Sequence, residues 1–494
     1  MLGLGLSYAR SVRRDALLTA WLGVVLLSGA WGCRRREQPL HGVPVQASAT
    51  GLARAVQESG STVAPTVLPP PSAVPTEIER KPRLYVKNRF VFVRPRADVN
   101  ADWIGFLWFG ASVELRSTEP VGGPGCATYY AIEPNGFVCV DGKQATLAAD
   151  DPEFKAVSSY APRLDTPTPH QYAESTGAEL HAELPGAERH WPTLPAFFHE
   201  PRRRVLPLST IAYVDQETVD GHDWLLSADL LWLKKEQVNL YPEITFHGVA
   251  LGGTWRLPLA FFRQPNKPRY RRNAAGKLEK SGELFALHSL VALGSEVQIQ
   301  RGERYFATAE GEDWVREQDA VLPSPRSLTP WGARVGSDDH TGLAPKNARH
   351  TWLEVSVLGG WLLAYEGTRP VYATLISPGR GGIPQEGKNT LELAATPLGT
   401  FPISGKLATV TMQAPGEYLH SEVPWTQNFL KPYAIHTAYW HDNWGNPQSG
   451  GCINVSPIDG KWLFEFSEPS LPAGWHAVRW QPALGAPTLL VVHE

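Results

Sequence analysis

Residues 352–376, WLEVSVLGGWLLAYEGTRPVYATLI, carry the clearest structural pattern in the chain. Apolar and polar side chains alternate over residues 352–357, which is the two-residue period of a β-strand. Gly359-Gly360 predicts a turn, residues 361–365 predict a returning strand, and residues 371–376 predict a third strand. The stretch therefore predicts a β-meander and favours the mainly β class.

The composition of the whole chain agrees with this class. The 494 residues suggest two to four domains, and 45 Gly, 43 Pro and 18 Trp against 2 Met suit short strands joined by turns better than long helices. The net charge of -3 offers no basic excess, so we expect no nucleic-acid partner.

The β pattern continues toward the amino terminus in short apolar segments that glycine and proline separate. The predicted strands are residues 84–86, 90–93, 104–109, 112–115 and 136–139. Residues 81–147 resemble a small bacterial Src-homology-3-like barrel. Residues 148–345 are predicted to form one or two further β-rich modules.

A short internal repeat supports repeated modules. The segment Gly221-His222-Asp223-Trp224 is followed by Asp229, and Gly311-Glu312-Asp313-Trp314 is followed by Asp319. We therefore expect the two segments to occupy equivalent places in small β-barrels.

The amino terminus resembles a targeting segment. Arg10, Arg13 and Arg14 precede an apolar stretch at residues 16–30, which is short for a membrane span, and Cys33 follows small residues at its end. Residues 1–33 are predicted to be a signal peptide with a lipoprotein processing site that lipidates Cys33. An ordinary cleaved signal or an uncleaved membrane anchor is the alternative.

The cellular location follows from that segment. Residues 34–80 are rich in Pro, Ala and Ser and predict a flexible linker. We expect the chain to lie in the cell envelope, on the periplasmic side of a membrane, and to be held there by the lipid or by a signal anchor. In an oxidising compartment Cys126 and Cys139 are predicted to form a disulfide, which makes Cys452 a lone thiol.

The chemistry is predicted around that lone thiol. His436 precedes Ser449-Gly450-Gly451-Cys452-Ile453-Asn454, and an imidazole near a thiol can take its proton. Glycine before the cysteine lets a carbonyl approach the sulfur and frees backbone N–H groups for an oxyanion hole. Residues 456–466 predict a short helix after the nucleophile, whose dipole is expected to lower the thiol pKa.

Residues 349–494 resemble the L,D-transpeptidase family. The family signature is a His, about fifteen residues, then Ser/Thr-x-Gly-Cys, an apolar residue and Asn or Arg, and the chain has His436 and residues 449–454 in that order. Four further segments also resemble segments of family members, namely residues 370–374, 396–401, 439–442 and 471–476. Two positions depart from the pattern, because Gly450 stands where His is usual and Thr437 stands where Gly is common.

The resemblance implies both the fold and the roles of the residues. The catalytic domain would be β-sandwich-like, Cys452 the nucleophile and His436 the base. Thr437 would orient the base through its backbone carbonyl, and Gly451 would give access and an oxyanion donor. His441, Ser449 and Asn454 are further candidates for substrate binding. No cofactor and no metal are expected.

The resemblance also implies the activity. The enzyme would form a thioester with a peptidoglycan stem peptide and pass it to an amine, either crosslinking the wall or attaching proteins to it. A hydrolytic L,D-carboxypeptidase or endopeptidase is the first alternative. An inactive wall-binding protein is the second, with Gly450 as its main support.

Overall fold

The structure of the protein is a computed structural model that describes residues 81–184, 203–337, 349–413 and 418–494. The predicted signal peptide, Cys33 and the predicted linker lie outside the described residues. In the described part of the chain, no helix is long and apolar enough to cross a membrane.

The first module, residues 81–158, consists of short antiparallel strands around an apolar core. Its elements are β1 (Arg83–Val86), β2 (Val91–Val93), β3 (Gly105–Leu107), β4 (Ser112–Glu114), β5 (Val121–Gly123), β6 (Cys126–Ala131), β7 (Phe137–Cys139), β8 (Ala145–Thr146) and α1 (Pro152–Ser158). The strands form the sheets β4-β1-β8 and β5-β6-β7. A disulfide between Cys126 and Cys139 joins β6 to β7.

The second module, residues 171–240, is a five-stranded antiparallel sheet with a small hairpin. Its strands are β9 (Gln171–Ser175), β10 (Glu179–Leu180), β11 (Arg203–Arg204), β12 (Thr210–Val219), β13 (His222–Ser227), β14 (Trp232–Lys234) and β15 (Val238–Leu240). The sheet order is β14-β13-β12-β9-β15, and a 3-10 helix at Lys235–Gln237 joins β14 to β15.

The third module, residues 244–321, contains a six-stranded sheet. Its strands are β16 (Val249–Ala250), β17 (Leu259–Phe261), β18 (Lys267–Arg272), β19 (Leu278–Phe285), β20 (Leu290–Gln300), β21 (Glu303–Thr308) and β22 (Trp314–Arg316). The sheet order is β17-β20-β21-β22-β18-β19, and a 3-10 helix at Glu317–Asp319 follows β22. A likeness of these modules to Src-homology-3 barrels stays a prediction.

The second and third modules each contain a three-stranded unit that ends in a 3-10 helix, β12–β14 and β20–β22 respectively. The repeat predicted from the sequence does not align these two units strand for strand. Trp314 begins β22, and its counterpart by strand order is Trp232, which begins β14. Trp224 lies one strand earlier, inside β13. The motif misleads because Gly221 lies in the turn between β12 and β13, whereas Gly311 lies in the turn between β21 and β22.

The carboxyl-terminal segment, residues 349–494, begins with the predicted meander. Its elements are β23 (Thr351–Ser356), β24 (Trp361–Glu366), β25 (Arg369–Leu375), β26 (Gly399–Pro402), β27 (Gly405–Gln413), β28 (Leu419–Leu430), β29 (Tyr433–Thr437), β30 (Ile453–Val455), α2 (Pro457–Phe466), β31 (Ala477–Arg479) and β32 (Leu489–His493). The mainly β class, the meander β23–β25 and the helix after Cys452 are confirmed.

Two stacked sheets enclose the main core of this segment. Their strand orders are β16-β25-β24-β23-β32-β26 and β2-β3-β31-β27-β28-β29-β30. Apolar side chains from both sheets and from α2 fill the space between them, including Leu353, Val355, Leu362, Ile435, Ile453 and Leu463.

The modules extend both sheets of the carboxyl-terminal segment. β3 of the first module pairs with β31, and β16 of the third module pairs with β25. Residues 82–494 accordingly form one compact unit. The predicted segments 81–147, 148–345 and 349–494 thus share sheets across their boundaries.

Candidate active site

Two neighbouring parallel strands bring the predicted base and nucleophile together. β29 pairs with β30 so that Ile435 lies opposite Ile453 and His436 lies opposite Asn454. Cys452 directly precedes β30, and the side chains of both predicted catalytic residues are buried, with 4% of His436 and 9% of Cys452 exposed. Among the described residues Cys452 is the free cysteine.

A single hydrogen bond determines the tautomer of His436. Its Nδ1 lies 3.0 Å from the carbonyl oxygen of Thr437. A carbonyl oxygen only accepts, so Nδ1 carries the proton and Nε2 keeps the lone pair that a base needs. Burial lowers the pKa of His436 to about 4, although the bond to Thr437 acts in the opposite direction. The imidazole is therefore neutral near pH 7.

The thiol is also neutral in the resting site. Burial raises the pKa of Cys452 to about 11, while a backbone hydrogen bond from Ala434 favours the thiolate. The net effect on this pKa is thus upward, and the lowering expected from the helix dipole does not outweigh burial. β30 separates Cys452 from Ser456, the N-cap of α2, and the field of a helix terminus fades within about one turn.

The turn before the nucleophile is braced by Ser449. The Ser449 hydroxyl donates to the carbonyl of Cys452 and accepts the backbone N–H of Gly451 at 3.0 Å. The Gly451 N–H therefore already has an acceptor inside the turn, which argues against its predicted role as an oxyanion donor. Ser449 holds the turn together, and no contact in the structure assigns it to substrate binding.

The two glycines of this turn differ in their surroundings. Gly451 has φ +131°, and a Cβ on it would lie 2.6 Å from Cε1 of Tyr433 and 3.0 Å from the carbonyl oxygen of Ala395. A Cβ on Gly450 would have no atom within 4 Å. Gly451 is thus required by the backbone, whereas the position where the family commonly has His is open.

His441 and Asn454 form a contact behind the reacting pair. Nε2 of His441 lies 3.2 Å from the side-chain amide of Asn454, which is itself opposite His436 on the neighbouring strand. Burial, and then the nearby His436, lower the pKa of His441 to about 4. These two predicted substrate-binding residues therefore brace each other beside the site.

Sequence reasoning missed His420 and Tyr433. The His420 ring stacks on Trp440 at 4.0 Å, and Trp440 lies 5.9 Å from the His436 ring. Tyr433 packs against Gly451 and contacts Thr390 through its hydroxyl. Neither residue belongs to a spacing motif, because His420 on β28 meets Trp440, and Tyr433 on β29 meets Gly451, only in the fold. Within the described ranges no group of His, Cys, Asp and Glu side chains has the arrangement of a metal site.

Comparison with known proteins relates this geometry to a family. Residues 351–474 match the family model YkuD, the L,D-transpeptidase catalytic domain. No curated protein matches the chain.

Solved structures with a detectable likeness include three L,D-transpeptidases. The one from Xylanimonas cellulosilytica is 20% identical, with a TM-score of 0.21, over 30% of this chain and 63% of that chain. The one from Enterococcus faecium is 22% identical, with a TM-score of 0.21, over 29% and 50%. The one from Mycobacterium tuberculosis is 17% identical, with a TM-score of 0.20, over 29% and 58%.

The chain therefore spans less than two thirds of the length of these solved structures, and likeness at this level does not bear on activity. The family model does match the strands and the turn that carry the base and the free thiol. Residues 351–474 are thus similar to the L,D-transpeptidase catalytic domain, whose family model they match.

Proposed function

We propose that the carboxyl-terminal segment transfers acyl groups on peptidoglycan stem peptides, with Cys452 as nucleophile and His436 as base. The observation that carries the proposal is a buried free thiol directly before the strand that pairs with the strand of His436, a neutral imidazole whose tautomer Thr437 determines. Cysteine nucleophiles of acyltransferases are activated by an adjacent base that a third group orients.

The first half-reaction forms a thioester. Nε2 of His436 takes the Sγ proton of Cys452 while the sulfur attacks the carbonyl carbon of an L-centred stem residue such as diaminopimelate. The imidazolium then gives its proton to the leaving nitrogen, so that the terminal D-amino acid departs with an intact amine.

The second half-reaction resolves the thioester. The amine of a second stem peptide, or of a protein, attacks the thioester carbonyl and loses a proton to Nε2 of His436. The C–S bond breaks, the thiol of Cys452 regains its proton, and an amide crosslink remains. With water in place of the amine, the same steps give a carboxypeptidase or an endopeptidase.

We assign the oxyanion donor to the backbone N–H of Cys452. The N–H of Gly451 donates to Ser449 instead, and Ser449 in turn donates to the Cys452 carbonyl, which orients the turn around the sulfur. Loss of one such donor typically costs on the order of 100-fold in rate.

We also propose that the protein acts in the cell envelope, on the periplasmic side of a membrane, tethered through Cys33 or through an uncleaved signal anchor. The charged and then apolar start of the sequence supports this location. The disulfide between Cys126 and Cys139 also supports it, because such bonds persist in oxidising compartments.

Mass spectrometry of the full chain incubated with tetrapeptide muropeptides tests the proposed activity. We expect a dimer that has lost one D-amino acid. Cys452→Ala and His436→Gln should form none of it, while His222→Gln, which removes an exposed imidazole of the second module, should behave like the parent.

The other products would decide between the alternatives. Tripeptide without dimer would favour hydrolysis over crosslinking. Dimer formation that survives in Cys452→Ala would exclude Cys452 as the nucleophile. If the folded parent protein forms neither product nor thioester, the remaining alternative is a wall-binding protein with an inactive site.

A further inference from the structure

The loop that joins the base to the nucleophile has no sheet of its own. This active-site loop, residues 438–448, forms neither helix nor strand. It nevertheless carries Trp440, which lies 5.9 Å from the His436 ring, and His441, which contacts Asn454. Part of the loop backbone is bonded within the carboxyl-terminal segment. Further contacts from the second and third modules restrain both ends of the loop, and such restraints matter because irregular backbone with few partners is mobile.

The second module holds the first end of the active-site loop. The ring of Tyr172, on β9, stacks on Tyr439 at 3.6 Å with 14° between the planes. The Tyr172 hydroxyl donates to the carbonyl of Glu422 at 2.9 Å. The Tyr439 hydroxyl donates to the carbonyl of Ser421 and lies 2.6 Å from Oγ1 of Thr210, on β12. Tyr439 is buried as a result, with 3% of its surface exposed.

The third module holds the other end. Arg263 donates from Nη1 to the carbonyl of Gly445 at 2.9 Å, and its own carbonyl accepts from Nδ2 of Asn446 at 3.3 Å. Phe246 stacks on Trp444 at 6.1 Å, and Trp444 is fully buried. The Cα of Gly445 lies so close to Arg263 that a Cβ there would be 2.8 Å from the arginine Cβ.

Both contacts come from residues outside the part of the chain that matches the family model. Tyr172 and Arg263 lie in segments where the sequence offers no catalytic motif, and each contacts the loop on a different side of Trp440 and His441. The second and third modules therefore contact the active-site loop directly, in addition to being joined to the carboxyl-terminal segment along the chain.

We propose that the second and third modules position the active-site loop for catalysis, with Tyr172 and Arg263 as the positioning residues. This inference rests on the proposed function, since it explains how the loop beside His436 and Cys452 is ordered. His420 and Asn454 contact Trp440 and His441 from within the carboxyl-terminal segment. Loss of either module contact removes a further restraint, so that these side chains shift relative to the base. A displacement of about 1 Å at a reacting group can cost on the order of 100-fold in rate.

The test compares truncating and conservative substitutions in the full chain. Tyr172→Ala and Arg263→Ala are each expected to lower kcat/KM for dimer formation by about tenfold or more. Tyr172→Phe keeps the ring against Tyr439 and should stay close to the parent in turnover, although it loses stability with the bond to Glu422. Arg263→Lys should recover part of the loss.

A matched control separates positioning from general stability. Trp475→Phe removes part of a buried indole ring and a 3.1 Å hydrogen bond from its Nε1 to the carbonyl of Glu133, which joins the first module to the carboxyl-terminal segment away from the loop. It should lower the free energy of unfolding as Tyr172→Phe does, with unchanged kcat/KM per folded molecule. If kcat/KM follows folded fraction in every variant, the contacts are structural only and the proposal is overturned.

A second readout does not depend on the substrate. Alkylation of Cys452 by iodoacetamide is measured against pH in the parent and in the four variants at Tyr172 and Arg263. We expect the midpoint of the profile to shift in both alanine variants, because a displaced Trp440 changes the surroundings of the His436 ring, 5.9 Å away, and with them the environment of the thiol. Unchanged profiles in both would overturn the positioning role. Shifted profiles in the alanine variants, combined with a parent protein that forms no muropeptide product, would refute the proposed function and leave the positioning role standing.

Discussion

Replacing Gly451 with alanine is expected to destabilise the fold and to stop acyl transfer together. Gly451 has φ +131°, which L-residues rarely adopt, and it directly precedes Cys452. A Cβ there would lie 2.6 Å from Cε1 of Tyr433 and 3.0 Å from the carbonyl oxygen of Ala395. The tyrosine ring can turn, but the carbonyl belongs to the backbone, so the turn that carries Cys452 has to shift.

The magnitude follows from two separate costs. A non-glycine residue in this backbone region costs about 1–3 kcal/mol. Forcing an extra methyl group into a packed site costs about 1–3 kcal/mol more. We therefore expect Gly451→Ala to lower the free energy of unfolding by about 2–6 kcal/mol and, through a sulfur displaced by about 1 Å, to lower the rate on the order of 100-fold.

Gly450→Ala is the matched control, because it adds the same methyl group one residue earlier. Its Cβ would meet no atom within 4 Å, and its φ lies outside the left-handed region. Urea unfolding followed by tryptophan fluorescence gives the stability of both variants, and muropeptide turnover gives the rate per folded molecule. Equal effects of the two substitutions, or a Gly451→Ala variant whose free energy of unfolding is within about 0.5 kcal/mol of that of the parent, would contradict a backbone requirement for glycine at this position.

Three further predictions follow from burial and compartment. Alkylation of Cys452 by iodoacetamide should accelerate up to about pH 11, and a midpoint at or below the ordinary thiol pKa of 9.0 would contradict a buried neutral thiol. Burial lowers the pKa of His170 to about 3, so the unfolded chain binds a proton that the folded chain does not, and the free energy of unfolding should fall as the pH drops from 6.5 toward 3. In acid denaturation, His170→Phe should reduce that fall by a few kcal/mol. An acid profile identical to that of the parent would argue against this role of His170. Lipidation of Cys33 should increase the mass of the mature protein and cause it to partition into detergent, and Cys33→Ala should abolish both effects. An unmodified mass would exclude the proposed lipid anchor.

Local patterns were sufficient to predict much of the candidate site. The spacing of His436 and Cys452, with Ser449 and Gly451 between them, indicates a thiol and an imidazole that meet through a turn, because both flanking segments are β-rich. The parallel pairing of β29 with β30 brings them to adjacent strands, as that interpretation requires. The carbonyl of Thr437 is likewise a local feature, since it belongs to the residue after the base.

Other features of the fold depend on chain segments far apart in sequence. Glu354 lies in a strand whose apolar and polar side chains alternate in sequence, yet its side chain is fully buried. Tyr365, His493 and the backbone of Arg326 contact its carboxylate. The alternation misleads because the third module covers the outer face of the sheet, so that both faces of β23 are buried. The sequence of the strand alone cannot indicate that a module from another part of the chain covers its outer face.

Local sequence patterns were enough to predict the mainly β class, the meander, the helix after Cys452 and the resemblance to the L,D-transpeptidase family, because each depends on periodicity, turn residues or a contiguous motif. The charges of the thiol and the base follow only from the fold, since their pKa values depend on burial by side chains from several strands. The tertiary structure also decided that Tyr172 and Arg263 border the active-site loop. Contacts of that kind join residues separated by more than a hundred positions, and no local spacing rule relates such residues before the chain has folded.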